Sequence, residues 1–216
     1  MEDYYRIISD VAEGLYKDKG SKFFSYAYPF TDPAKLDLIL ENLKDKHPKA
    51  SHYCYAYSIG IKRSMYKYTD DGEPSGTAGK PIFGQLLSID VSDTLVVVIR
   101  YFGGTKLGVS GLTQAYKLAA ADALSNALIA TKYLCETFRL SFHYAETGRV
   151  LNILKKSGVE ITFKNLEEDF FIDFEIRISK VNKTLTDIKA GLIECSHVEA
   201  TLHSDEFLNF KIQKLI

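Results

Sequence analysis

The stretch RYFGGTKLGVSGLTQAY, residues 100–116, joins two elements whose types follow from their composition. The preceding segment TLVVVIRYF, residues 94–102, is almost entirely apolar until Arg100, which predicts a buried β-strand. The following residues 112–128 are rich in alanine and predict a helix that lies close against a sheet. A strand, a glycine turn and a helix can together bind an anion at the start of the helix.

The glycine spacing of this stretch fits none of the standard phosphate or nucleophile motifs. Val109 stands where a Walker loop requires lysine, and Lys106 stands where the dinucleotide pattern requires glycine. A nucleophile elbow around Ser110 would need glycine at position 112, which is Leu112. The stretch is therefore not a cofactor loop of a known type, and we expect no cofactor.

Two interpretations of the glycines remain open from the sequence. In the structural one, Gly103 and Gly104 supply backbone angles that other residues resist, and Gly108 and Gly111 permit close packing. In the functional one, the backbone amides and Lys106 bind a nucleic-acid phosphate without sequence preference. Residues 108–111 have the GxxG form of some RNA-binding loops, a pattern short enough to match often by chance.

The segments before this stretch predict a helix, two paired strands and a loop. Residues 31–48, TDPAKLDLILENLKDKHP, predict a helix capped by Asp32 and ended by Pro48. Its apolar face would be Leu36, Ile39, Leu40 and Leu43. Strict alternation in residues 50–60 predicts a strand that pairs with residues 64–69, and the loop DDGEPSGTAGKP follows at 70–81.

A second polar cluster is predicted where this loop meets the strand. His52 and Cys54 are two residues apart and share one face of the strand, and the loop can bring Asp70, Asp71 or Glu73 close to them. Such a set could form a Cys/His nucleophile or a metal site. The alternative is a cysteine in the core and a buried histidine that hydrogen-bonds to the loop and holds it. We favour that alternative and expect no metal.

The other face of the same strand carries a stripe of three tyrosines: Tyr53, Tyr55 and Tyr57. Aromatic side chains on a sheet can stack on single-stranded bases, and cations that could meet phosphates lie just beyond, at residues 62, 63 and 67. Such stripes more often pack beneath a helix. We therefore expect the tyrosines to form core.

After Thr131 the pattern changes to the order β-α-β-β-α-β. Residues 136–144, 159–166 and 169–179 predict strands, with helices at 146–158 and 181–192 and a final strand near the end. This order is the ferredoxin-like split βαβ arrangement. We therefore predict a two-domain α+β protein with domains at residues 1–132 and 137–216.

The composition excludes several classes of protein. The formal net charge of the 216 residues is -1, so any binding to nucleic acid must come from a local patch. Three widely spaced cysteines argue against a disulfide framework and for a reducing compartment. The acidic, polar start MEDYYRIISD is unlike a secretory signal, and no apolar run is long enough to span a bilayer. We expect a cytoplasmic protein that does not bind membranes.

Four segments together resemble the YigZ/IMPACT family: residues 21–24, 52–60, 70–82 and above all 96–116. The resemblance extends over essentially the whole chain. It implies a first domain like the second domain of ribosomal protein S5 and a second, ferredoxin-like domain. The pair is similar to the last two domains of elongation factor G.

The same resemblance implies a non-catalytic, translation-associated regulatory protein, because eukaryotic relatives regulate translation initiation through protein partners. We expect RNA or the ribosome as partner, and proteins of the translation machinery as further partners. The residues expected to contact the anion are Arg100, Gly103, Gly104, Lys106, Gly108, Ser110 and, in the neighbouring loop, Lys80. The alternative is a hydrolase of small molecules or peptides that uses the second polar cluster, with His52, Cys54, Asp71 and Glu73.

Overall fold

The computed structural model describes residues 3–202, 204–207 and 209–215 as a mixed α/β protein. The chain divides into two compact units, of which Tyr5–Lys132 is the first. The described residues on either side of that range form the second unit, so Asp3 and Tyr4 group with the C-terminal half. No helix in the described ranges is long and apolar enough to cross a membrane.

The first unit is built on a five-stranded sheet in which every pair of neighbours is antiparallel. The strands up to the boundary are β1 (Tyr4–Ile8), β2 (Ala12–Asp18), β3 (Ser21–Pro29), β4 (His52–Ile59), β5 (Met65–Thr69), β6 (Thr94–Tyr101) and β7 (Ile129–Tyr133), and the helices are α1 (Leu36–Lys46), α2 (Gly79–Ser88) and α3 (Gly108–Ser125). The sheet order is β2-β3-β6-β4-β5, and β1 and β7 form a separate two-stranded sheet.

Both faces of the five-stranded sheet are covered. Val96 and Val98 of β6 belong to the core cluster on the side of α2 and α3, and Val97 belongs to the cluster on the side of α1. The predicted buried strand is therefore confirmed as the central strand of the sheet. The predicted apolar face of α1 is confirmed as well, because Leu36 and Leu43 are buried in the same cluster as Val97.

One helix of this unit, α2, is absent from the prediction, and another, α3, begins earlier than predicted. The predicted loop at 70–81 ends earlier, because α2 begins at Gly79 and includes Lys80 and Pro81. Proline is tolerated in the first turn of a helix, where its missing N–H has no intrahelical partner. Helix α3 begins at Gly108 rather than at residue 112, so part of the glycine stretch is helical.

The second unit contains the predicted order of elements with one short helix and one short strand added. Its strands are β8 (Cys135–Phe142), β9 (Glu160–Asn165), β10 (Phe171–Arg177), β11 (Glu206–Phe207) and β12 (Phe210–Lys214), and its helices are α4 (Thr147–Ser157), α5 (Val181–Ile193) and α6 (His197–Leu202). The sheet order is β11-β12-β8-β10-β9, with antiparallel neighbours. Leu154 of α4 and Ile188 of α5 pack in one core cluster with Leu140 and Phe174 of the sheet.

Candidate functional site

The glycine loop, residues 102–107, connects β6 to α3 at the surface of the first unit. Its residues from Phe102 to Lys106 are exposed, and Leu107 is buried and fixes the start of the helix. Gly104 and Gly108 have φ of +85° and +73°, a region that favours glycine. The structural interpretation is therefore confirmed for Gly104. For Gly108 the reason is its backbone angle rather than close packing, since nothing lies within 4 Å of where its Cβ would be.

Gly103 is required for a different reason, the close approach of another backbone segment. A Cβ at this position would lie 1.9 Å from the carbonyl carbon of Gly20 and 2.1 Å from the nitrogen of Ser21. The Gly103 N–H donates to Ser21 Oγ at 3.1 Å. Because Gly20 lies in the turn between β2 and β3, the glycine loop is held against the tip of that hairpin.

The N-terminus of α3 follows the loop directly and is open to solvent. The first N–H groups of a helix have no acceptor within the helix, and among the described residues no side chain caps them here. Val109 is 65% exposed, and Gly108 and Ser110 are also exposed. Lys106 is exposed and, within the described part of the chain, forms no ion pair. Amides with partial positive charge beside a free ammonium can bind an anion.

Arg100 is placed differently from the prediction. Its guanidinium Nη1 donates to Glu73 Oε1 at 2.6 Å, and the two residues are only 6% and 9% exposed. The Tyr116 hydroxyl donates to the same oxygen at 2.8 Å. The guanidinium carbon lies 5.5 Å from the ring centres of both Phe23 and Phe102. The charge of Arg100 is thus already compensated inside the fold, which corrects its assignment as an anion contact.

The N-terminus of α2, beside Lys80, is filled by a carboxylate of the chain itself. The side chain of Asp70 accepts hydrogen bonds from the N–H groups of Gly76, Ala78 and Gly79 at 2.8–2.9 Å. Lys80 is the second residue of α2 and is exposed. Because Asp70 already accepts from three amide groups beside Lys80, this end of the predicted surface is less open to an anion than the start of α3.

The predicted polar cluster forms, and its hydrogen bonds hold the loop that precedes α2. His52 Nδ1 donates to the Asp71 carbonyl at 2.7 Å, and Asp71 Oδ2 accepts from the Tyr53 N–H at 2.6 Å. The Cys54 thiol donates to the Asp70 carbonyl at 3.0 Å. The interpretation of His52 as a residue that hydrogen-bonds to the loop is confirmed, although its side chain is half-buried rather than buried.

The same geometry argues against the hydrolase alternative. Cys54 is fully buried, and burial raises the pKa of its thiol far above the usual range. No hydrogen bond joins His52 to Cys54 in the described structure, so no base stands ready to activate the thiol. Glu73 Oε1 lies 3.9 Å from His52 Nε2, but that oxygen already accepts two other hydrogen bonds. Each candidate catalytic group therefore has a structural partner.

The reactivity of the cysteines should follow their burial. We expect Cys54 to react with N-ethylmaleimide at least an order of magnitude more slowly than the exposed Cys135, because only an accessible thiolate is nucleophilic. Time-resolved peptide mass spectrometry of the native chain measures both rates in one sample. Faster labelling of Cys54 than of Cys135 would contradict the structural interpretation and revive the hydrolase.

The tyrosine stripe is core, as expected. Tyr55 and Tyr57 are 7% and 6% exposed, and Tyr53 packs against the same cluster beneath α1. The hydroxyl of Tyr53 donates to the His47 carbonyl at 2.6 Å. These rings are therefore not available to stack on bases.

Two features of the site were missed by sequence reasoning. Tyr116 is fully buried among the alanines of α3, and a hydroxyl in such an apolar row is the signal that a buried polar partner exists. The hairpin beside the glycine loop was not predicted at all.

Among the described residues, no group of three or more His, Cys, Asp or Glu side chains is placed to hold a metal ion.

Comparison with known proteins identifies the family. The family model described as the Impact N-terminal domain matches residues 19–124. The chain is 30% identical over 201 residues to the IMPACT family member YvyE of Bacillus subtilis, covering 91% of this chain and 92% of that protein. An IMPACT family member of Thermus thermophilus is 37% identical over 154 residues, covering 68% of this chain and 82% of the relative.

The solved structures also contain a similar chain. A crystal structure described as that of a hypothetical protein aligns with a TM-score of 0.67 and 25% identity, covering 91% of this chain and 96% of the other. The similarity in sequence and in structure thus extends across both units, and the glycine loop and the Asp70 loop lie inside the range that the family model matches. The chain belongs to the IMPACT family.

Proposed function

We propose that this chain is a non-catalytic, translation-associated regulatory protein that binds RNA through the glycine loop and the N-terminus of α3. The observation that carries the proposal is the uncapped, exposed start of an 18-residue helix beside the unpaired Lys106. The family resemblance adds the expected setting, which is translation in the cytoplasm, with the ribosome and proteins of the translation machinery as partners. No cofactor is required by this function.

The fold assignment belongs to the same proposal. We assign the first unit to the ribosomal protein S5 domain 2-like fold and the second to the ferredoxin-like fold. For the second unit, the support is the sheet order β12-β8-β10-β9, which the split βαβ arrangement requires of its four strands. For the first unit, the support is the crossover from β3 through α1 to β4, with β6 between the two strands.

The acidic residues near the site do not oppose an anion, because they are directed at partners within the chain. Asp70 caps α2, Asp71 accepts from the backbone of β4, and Glu73 is paired with Arg100. In contrast, the positive end of α3 has no such partner among the described residues. Phosphate binding at α3 therefore requires no rearrangement of a carboxylate.

The proposal predicts RNA binding that depends on salt and on Lys106. We expect Lys106→Ala to weaken binding of every RNA sequence alike and to lower the slope of log affinity against log salt by about 1. Fluorescence anisotropy of a short labelled oligouridylate and of a labelled RNA duplex, across a salt series, measures both effects. The matched control is Lys164→Ala, which removes an exposed lysine from β9 of the second unit.

Two outcomes contradict the proposal. One is the absence of binding by the unaltered chain to either RNA at low salt. The other is binding that Lys106→Ala and Lys164→Ala weaken equally, since the glycine loop would then have no special part in it.

A further inference from the structure

We propose that the tip of the β2–β3 hairpin is a second phosphate-binding surface, which carries Lys17, Lys19 and Lys22 and extends the glycine loop. This inference rests on the proposed function and names the partner of the site as an RNA strand that is contacted at several successive phosphates. Gly103 contacts this hairpin, so the three hairpin lysines lie at the same end of the sheet as Lys106.

The three lysines lie at adjoining positions of the hairpin. Lys17 and Lys22 are directly opposite each other in the pairing of β2 with β3, and Lys22 is also opposite Tyr101 at the end of β6. Lys19 lies in the turn itself. All three are exposed, and within the described chain none of them forms an ion pair. Together with Lys106 they place four lysines without an ion pair at this end of the sheet. Lys22, opposite Tyr101, lies on the α1 side, so the surface continues from the α3 side around the end of the sheet.

Lys17 and Lys22 depart from the usual preference for cross-strand pairs. Like charges directly opposite each other destabilise an antiparallel pair. Alternation along β2 places Asp18, the neighbouring carboxylate in sequence, on the other face of the sheet, so it does not lie beside the lysine pair. A bound phosphate would relieve it.

The turn that carries Lys19 also departs from the usual preference. Lys19 and Gly20 have φ of +43° and +81°, which makes the connection between β2 and β3 a type I′ turn. The first central position of such a turn favours Asn, Asp or Gly, and a lysine in the left-handed region is strained. The opposed lysines and the strained turn each place a cation at a position where local preference disfavours it. Departures of this kind are expected at functional sites.

Protection of an exposed sheet edge does not explain the set. Lysines on edge strands commonly prevent pairing with other chains, and β2 is an edge strand, so that role would account for Lys17. Lys22 lies on β3, which is paired on both sides. Charge complementarity with a polyanion accounts for all three lysines.

The test uses two variants of the full chain that should resist urea unfolding better than the parent and bind RNA more weakly. Lys22→Glu replaces a repulsive cross-strand pair by an attractive one, and Lys19→Asn creates the Asn-Gly pair that type I′ turns prefer. We expect both to raise the urea midpoint of unfolding. We also expect each to weaken oligouridylate binding and to lower the salt slope, by about 1 for Lys19→Asn. The control for charge is Lys164→Glu, on a strand of the other unit.

The outcomes separate this inference from the proposed function. If both variants bind oligouridylate as Lys164→Glu does while Lys106→Ala binds more weakly, the hairpin surface is overturned and the glycine loop stands. If the unaltered chain binds no RNA at low salt, both fail. Equally salt-sensitive binding of polyglutamate, lost in Lys22→Glu, would overturn RNA as the occupant. A variant whose urea midpoint does not fall excludes unfolding as the cause of lost binding.

Discussion

Glu73→Gln should lower the free energy of unfolding of the first unit by about 3–5 kcal/mol, the range found when one partner of a buried ion pair is removed. Arg100 is 6% exposed and its pairing to Glu73 is the compensation for its charge. The amide of glutamine occupies nearly the same volume, so the expected loss reflects charge rather than a cavity. The buried hydroxyl of Tyr116 would also lose its charged acceptor.

Urea unfolding followed by circular dichroism measures this loss, since the chain contains no tryptophan. Hydrogen exchange of the β6 amides locates the loss in the first unit. The matched control is the double variant Glu73→Gln/Arg100→Met, in which the uncompensated charge is absent and much of the stability should return. A single variant as stable as the parent, or a double variant less stable than the single, would show that the pair does not hold this part of the fold.

The elements predicted correctly from the sequence are those with strong local signals. The periodicity of α1, the alternation of β4 and the apolar composition of β6 each depend on residues within one element. Helix α2 was missed, and the predicted loop extended into its first turn, because the cap of the helix is Asp70, nine residues before Gly79, and a cap of that kind is formed by a folded loop. Local patterns carry no information about such a contact.

The candidate site was predicted only in part, for a related reason. Arg100 precedes the glycine loop in sequence, which suggested a common surface. Alternation along β6 instead places its side chain beneath α3, where Glu73 lies 27 residues away in the chain. The hairpin lysines were missed because the contact that brings them to the loop joins Ser21 and Gly103, which are 82 residues apart.

Because of the contact between Gly103 and the hairpin, we expect Gly103→Ala to cause a second large loss of stability. The new methyl group would lie 1.9 Å from a backbone carbon of Gly20, and a backbone atom cannot rotate away as a side chain can. We expect a loss of about 3 kcal/mol, at the upper end of the usual range for overpacking. Urea unfolding of the full chain measures it.

Gly104→Ala is the matched control, one residue further along the same loop. Nothing lies within 4 Å of its added Cβ, so its effect arises only from φ of +85° and should be about 1–2 kcal/mol. Equal losses in the two variants would mean that the contact with the hairpin contributes nothing to the stability of the loop.

The same pair of variants tests whether the glycine loop and the hairpin act as one surface. Gly103→Ala removes no charge, yet it should move the loop away from the turn that carries Lys19. Measured under conditions where each variant is fully folded, its affinity for oligouridylate should fall further than that of Gly104→Ala. If Gly103→Ala keeps the affinity and salt slope of the parent, the two clusters bind phosphates independently, because a shared strand of RNA requires their spacing to be fixed.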